Sequence, residues 1–426
     1  MAEAAAPTYP LFRCSALRLA LALLRFLWVL SFAVTIVNPA LSGRTLYLYL
    51  LLPALDLQFL HQLLNFRATW RRIACFCALL FLTMLSLHDL VFTVKFLLVL
   101  FQVIYLFFLS SRNLAHYLFL TLVAHILVAL LQMGFFFLRP DLLLYVTPGY
   151  LAGLIWGDTL ATATFANFGF EFLLPRFSGL YRESAFFASY LMGLYLFFVQ
   201  EQNYRYRKAA FFLIFLGIML SFSKISAAIL IIIFINNTRR YLDKVPLYVS
   251  TIVYLVVFSF IANYAFDKIF SSSAYDAIGS NISMMHRFLS YYGLQFFDPW
   301  NLLLGLGDYS VLAPPIRGIV DTLYAEIGGL TDASLYCGVA GILYKGGAVG
   351  LALLLCYLRF LGVKSAPFLI LLFLTFSVTL DTLQSFVILG WYYVYRETWF
   401  GSALLELFQA GKCAAAPMPA ALPGEL

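Results

Sequence analysis

Apolar residues run along this chain in long unbroken stretches, without the alternation of a half-buried strand or the one-sided spacing of a surface helix. Each stretch is roughly 17 to 25 residues long, enough for an α-helix to cross a bilayer core, and short basic segments separate them. The pattern predicts spanning helices over 19–37, 46–64, 73–88, 90–109, 114–137, 185–200, 209–222, 225–237, 246–265, 335–358, 366–382 and 384–396. This is an all-α polytopic membrane protein of about twelve transmembrane helices. Residues 1–410 form one integral-membrane domain, and 411–426, rich in Ala and Pro, a disordered cytoplasmic tail. The first apolar run is long enough to span and reads as an uncleaved anchor.

Two connections are long, about 138–184 and about 266–334. Both hold too many aromatic and aliphatic residues to be disordered. Leu142 to Trp156 is apolar but interrupted by Pro148, Gly149 and Gly153, which predicts a re-entrant or interfacial piece. His286 to Phe297 has helical spacing and ends at Asp298-Pro299. Most of the 27 Lys and Arg fall on the alternate loops that share a side with the N-terminus. That bias puts both termini in the cytoplasm and both long segments outside. No internal repeat argues for an inverted-repeat transporter.

Composition sharpens the class. The chain is 63% hydrophobic and 11% charged, with a mean hydropathy of +0.92. A soluble chain carries roughly 25% charged residues, so a soluble fold is excluded. The net charge of +7 follows from the basic inner loops and implies no nucleic-acid partner. Six cysteines without a Cys-x-x-Cys pair imply neither a disulfide framework nor a zinc site. Asp-x-Asp is absent, so no bound metal and no other cofactor is expected.

Charge is scarce enough that its placement matters. Leu174 to Ala185 packs Arg176, Arg182 and Glu183 between an apolar loop and an apolar helix, and Arg287 lies in the second long segment. Guanidinium groups fork onto phosphate oxygens, and the N-terminus of the helix starting near Ser184 would favour the same anion. The alternatives are snorkelling to lipid headgroups and pairing with Glu183 or Glu171. Asp332, where the second segment returns to the membrane, fits a helix cap or a catalytic base equally well. His286 is the one external histidine; His61, His88, His116 and His125 read as packing residues. Asp56, Lys95 and Asp381 lie inside predicted spans and are ion-path candidates or buried partners, with an Asp56–Lys95 pairing permitted.

The order of these features resembles the Wzy-type O-antigen polymerases, within the O-antigen ligase and polymerase superfamily. The matching residues are Arg176-x-x-Gly179-Leu180-Tyr181-x-Glu183 with Ala188, Ser221-Phe222-Ser223-Lys224-Ile225-Ser226, Arg287 ahead of Pro299 and Gly305-Leu306-Gly307, and Leu343-Tyr344-Lys345-Gly346-Gly347-Ala348-Val349-Gly350. The resemblance covers roughly residues 170 to 355. It implies a glycosyltransferase of the membrane-embedded C class in the inner membrane, with its active site in periplasmic loops. The substrate would be undecaprenyl-pyrophosphate-linked oligosaccharide, and a chain-length regulator a further partner. Arg176 and Arg287 would hold the pyrophosphate, supported by Arg182, with Lys224 at the helix break. Arg182 to Gly193 and Arg317 to Gly328 also fit a described Arg-to-Gly spacing.

Two departures stand out. At the helix break Ser-Lys-Ile replaces Ser-Arg-Gly, keeping the charge and losing the fork. Tyr336 stands where the ligases carry a histidine base, with Asp332 about one helical turn earlier. The second argues against a ligase, which is the alternative within the same chemistry; a flippase or ion-coupled transporter is the alternative outside it. Asp332 and Glu183 remain the base candidates, with Glu183 favoured as an ion-pair partner of Arg182.

Overall fold

The structure, a computed structural model, describes residues 15–41, 44–66, 70–87, 89–157, 170–171, 174–181, 183–271, 288–306 and 337–415. Among them the fold is helical, the only extended pieces being two antiparallel pairs of two-residue strands. Among the described residues four helices are long and apolar enough to cross a membrane: Leu90–Ser110, Leu114–Leu138, Leu247–Phe266 and Ala340–Leu361. The chain is thus a helical membrane protein. It divides into two compact units, one of 1–67, 101–224 and 400–426, the other of 68–100 and 225–399.

The first unit contains α1 (Ser15–Ala33), α2 (Leu57–Leu64), the end of α4 (Leu90–Ser110) and α5 (Leu114–Leu138). The expected single span over 46–64 is instead two 3-10 turns, Leu48–Leu50 and Leu52–Leu55, followed by α2. Pro53 has no N–H to give an α-helical ladder, and Asp56 starts a new helix by accepting from the N–H groups of Gln58 and Phe59, each at 3.1 Å. The same carboxylate takes Arg25 Nε at 2.7 Å and the Tyr105 hydroxyl at 3.1 Å. Asp56 is fully buried, and Arg25 balances its charge inside this unit. Trp28 anchors the layer, stacked on Phe32 at 4.6 Å between ring centroids and edge-on to Tyr105 at 5.3 Å.

After α5 the chain makes the 3-10 helix Pro140–Val146 and the nine-residue α6 (Pro148–Trp156). Nine residues rise roughly 13 Å, less than half a bilayer core, as the interrupted pattern over 142–156 requires. Next come α7 (Ser184–Gln200), buried over most of its length, and α8 (Arg207–Ser221). The unit ends with α15 (Trp399–Ala415). That helix is assigned as far as Ala415; 416–426 lie outside the described residues.

The second unit holds α3 (Trp70–Ser86), α9 (Ala228–Asn237), α10 (Leu247–Ser271), α11 (Pro299–Leu304), α12 (Ala340–Leu361), α13 (Ser365–Leu374) and α14 (Ser385–Tyr395). The spans expected at 366–382 and 384–396 shrink to α13 and α14, of 10 and 11 residues. Each rises only about 15 Å. They pack side by side, with Gly390 so close to Leu371 and Leu374 that a Cβ there would lie 2.8 Å from both side chains. Of the helix expected over 286–297, residues 288–292 are α-helical and run on into the 3-10 turn Gly293–Phe296, and Asp298 caps α11 by accepting from Asn301 N–H at 2.7 Å. The helix expected from 335 begins, among the described residues, at Ala340.

Candidate functional site

The first cluster of interest is built on α5, an apolar helix whose two buried polar residues, His125 and Gln132, are seven residues apart and so on one face. Both are fully buried and both point at the loop that carries Arg176. Gln132 Oε1 accepts from the N–H of Ser178 at 3.3 Å and of Gly179 at 3.1 Å. Its Nε2 donates to the carbonyls of Gly179 and Val146, both at 2.9 Å. The amide is fully used. His125 Nδ1 accepts from Leu180 N–H at 3.2 Å, which puts the ring proton on Nε2, where it is donated to the Ala33 carbonyl at 2.9 Å.

Gly179 makes this turn possible. Its φ is +57°, and a Cβ would stand 3.0 Å from the His125 carbonyl oxygen. Only glycine adopts this conformation at no steric cost and admits that approach. Two further bonds pin the loop: Thr35 Oγ1 donates to the Leu180 carbonyl at 3.1 Å, and Phe177 N–H to the Leu220 carbonyl at 3.2 Å. The latter draws the Arg176 stretch to the end of α8, where Phe222 ends the helix in a left-handed conformation, φ 39°. Two segments singled out in the sequence, 176–183 and 221–224, thus meet in the first unit.

Arg176, half-buried, precedes this turn, and Glu183 follows it as the residue before α7. The Glu183 carboxylate does not cap that helix; its carbonyl accepts from Phe187 N–H at 3.0 Å. Behind the turn Tyr181 and Tyr190 stack at 4.9 Å. The product is a rigid support that holds a guanidinium and the N-terminus of a 17-residue helix at either end of one loop.

A second cluster forms in the other unit from Gly305-Leu306 and Leu343 to Gly350. At Gly347 the φ, ψ of 59°, −159° breaks the regular course of α12. A Cβ on Gly347 would lie 2.3 Å from the Leu303 carbonyl oxygen, and one on Gly305 2.5 Å from the Lys345 carbonyl oxygen. Leu306 N–H donates to the Tyr344 carbonyl at 2.7 Å. The glycines therefore serve a backbone-to-backbone contact of α11 with the break in α12. Lys345 pairs with Asp89 and lies 4.9 Å from the centre of the Phe92 ring. Burial raises the Asp89 carboxyl pKa, but the Lys345 hydrogen bond and charge, with the Phe92 N–H, outweigh it and hold the group below its ordinary value.

Arg182, Arg287, Arg317, His286, Asp332 and Tyr336 lie outside the described residues, as does the side chain of Lys224. Among the described residues no group of three or more His, Cys, Asp and Glu could hold a metal ion. Asp381 sits between α13 and α14, 2% exposed, with Oδ1 lacking a hydrogen-bond partner. Comparison of the chain with protein-family models, curated proteins and solved structures finds no match. The reading of the site therefore rests on its own chemistry. What sequence reasoning missed is the bracing pair: His125 was expected to be a packing residue, and Gln132 was not singled out, although two polar residues at helical spacing in an apolar span were the available signal.

Proposed function

We propose that this chain is a membrane-embedded glycosyltransferase of the O-antigen polymerase type. It works on lipid-pyrophosphate-linked oligosaccharide at the outer face of the bacterial inner membrane, with about twelve crossings in the manner of the membrane-embedded C class. The observation that carries the reading is the locked Gly179 turn, with Arg176 three residues before it and the start of α7 five residues after it. A guanidinium and a helix N-terminus on one rigid loop suit a pyrophosphate leaving group. In this reading Arg287 joins Arg176 at the pyrophosphate, with Arg182, Lys224 and Arg317 in support, and His286 and Tyr336 line the substrate. A hydroxyl of the acceptor sugar attacks the anomeric carbon of the donor. The bond to pyrophosphate breaks and its electron pair leaves on phosphate oxygen, while a carboxylate, Asp332 or Glu183, takes the hydroxyl proton.

The test is the lipopolysaccharide ladder of a strain that carries Arg176→Ala at wild-type protein level. Single-repeat lipopolysaccharide is expected; a full ladder of long chains would remove Arg176 from the role.

One observation favours a second reading, an ion-coupled transporter. The buried Asp381 carboxylate at the junction of two short helices is an arrangement suited to a cation. Under that reading Asp381→Ala abolishes function, and Arg176→Ala leaves it intact.

A further inference from the structure

Ser111-Arg112-Asn113 is the short link between α4 and α5, two helices long enough to cross a membrane, so it lies at a membrane surface. Asn113 and Gln132 are at opposite ends of α5, separated by roughly 28 Å of helix rise. The link is therefore far from the Gly179 turn and belongs to a different surface.

Arg112 is held in place by its neighbours. Its Nη1 donates to the Phe108 carbonyl and the Ser111 hydroxyl, both at 2.8 Å, and its Nη2 to Gln62 Oε1 at 3.3 Å. The guanidinium lies 3.6 Å from the centre of the Phe108 ring, and that of Arg25 lies 5.0 Å from the same ring. Two cations thus share one aromatic ring. The buried carboxylate at hand, Asp56, takes the Arg25 fork, at 2.7 and 3.1 Å, which leaves this group of three with one positive charge in excess. Burial, and then repulsion by Arg25, lower the Arg112 pKa to about 10. It stays charged at neutral pH.

Such an excess in a partly dehydrated place calls for an anion. Between the two arginines opens a cavity of about 280 Å³, lined by Arg25, Arg112, Asn113 and Tyr117 on the polar side and by Val29 and Leu109 among its apolar residues. Asn113 adopts a left-handed conformation, φ 64°, and its side chain does not cap α5, so the start of that 25-residue helix faces the cavity through Asn113 and Leu114. The helix dipole adds to the positive potential. A non-glycine residue held in that conformation marks a place where backbone strain is tolerated by its surroundings.

We propose that this cavity binds a phosphate group, with the Arg112 and Arg25 guanidinium groups and the start of α5 as its donors. The apolar wall and the position at a membrane surface make the phosphate of an anionic lipid headgroup the fitting source; free phosphate is the other source of the same chemistry.

The full-length protein, purified in dodecyl maltoside, tests this by thermal melting against three titrants: dioleoyl-phosphatidylglycerol, dioleoylglycerol, which lacks phosphate, and inorganic phosphate. Phosphatidylglycerol should raise the melting temperature and dioleoylglycerol should not. Arg112→Gln should need roughly tenfold or more phosphatidylglycerol for the same shift, the worth of a charge-assisted contact. An equal shift from inorganic phosphate would support the site and assign it to the free ion. An equal shift from dioleoylglycerol, or an Arg112→Gln titration within about twofold of wild type, overturns the proposal. Should Arg112→Gln not fold, Leu109→Trp carries the test: it fills the cavity and keeps both arginines, and an undiminished lipid shift in that variant overturns the proposal equally.

Discussion

Gly347→Ala probes the contact of α11 with the break in α12, and its cost can be worked from the backbone. The φ, ψ of 59°, −159° lies in a region open essentially to glycine alone, so any side chain there carries about 1–3 kcal/mol of strain. The added Cβ would stand 2.3 Å from the Leu303 carbonyl oxygen and 2.5 Å from the Leu304 nitrogen. Those are backbone atoms that cannot rotate away, and relieving such overpacking costs a further 1–3 kcal/mol or so. Against this stands the entropy that alanine removes from the unfolded chain, about 0.4–1 kcal/mol. The net expectation is a loss of roughly 2–5 kcal/mol.

Two other glycines separate the contributions. Gly362 has φ +87° but nothing within 4 Å of its Cβ position, so Gly362→Ala carries strain without a clash, about 1–2 kcal/mol before the same entropic gain. Gly134 sits inside α5 at ordinary helical φ with open space around it, and Gly134→Ala should gain roughly 0.5–1 kcal/mol. Equilibrium unfolding in mixed dodecyl maltoside and dodecyl sulfate micelles ranks the three. If Gly347→Ala costs no more than Gly362→Ala, the close approach of Leu303 is not a packed contact and the reasoning fails.

Two further predictions use the same assay. Arg25→Leu strands the buried Asp56 carboxylate and should cost about 3–5 kcal/mol; adding Asp56→Asn, which still caps α2, should recover most of it, and a double variant as unstable as the single one would refute the pairing. Asp89 has its folded pKa held below the unfolded value, so its contribution is present above the ordinary carboxylate range and is lost as pH falls through the folded value. Wild type should therefore lose stability relative to Asp89→Asn below about pH 4; difference curves that stay flat there would show that the Lys345 pair contributes nothing.

Hydropathy alone was enough to show a helical membrane protein, because a bilayer accepts only segments that satisfy their own backbone hydrogen bonds. The spans at 90–109 and 114–137 match α4 and α5 within a residue or two for that reason. The span at 46–64 failed because apolar content says nothing about where Pro53 and Asp56 interrupt a helix. At 366–396 the same apolar character is shared by a long span and by two short helices shielded by protein. For the candidate site, the charge of Arg176 and the glycine at 179 were legible as an anomaly in an apolar chain. Their bracing was not, since His125 and Gln132 lie far off in sequence and only a folded helix turns them to one side.

What this sequence determined by itself is therefore the solvent it folds in, the helical class and the scarce residues able to meet an anion, all of which follow from residue type and local spacing. The tertiary structure decided the rest. It put Gln132 under Gly179, Leu303 against Gly347, Asp56 on Arg25, and Arg112 beside the same ring as Arg25 without a carboxylate of its own. Each of these depends on backbones and charges brought within a few ångströms across long stretches of chain, and short-range contact of that kind arises from packing, not from the one-dimensional pattern.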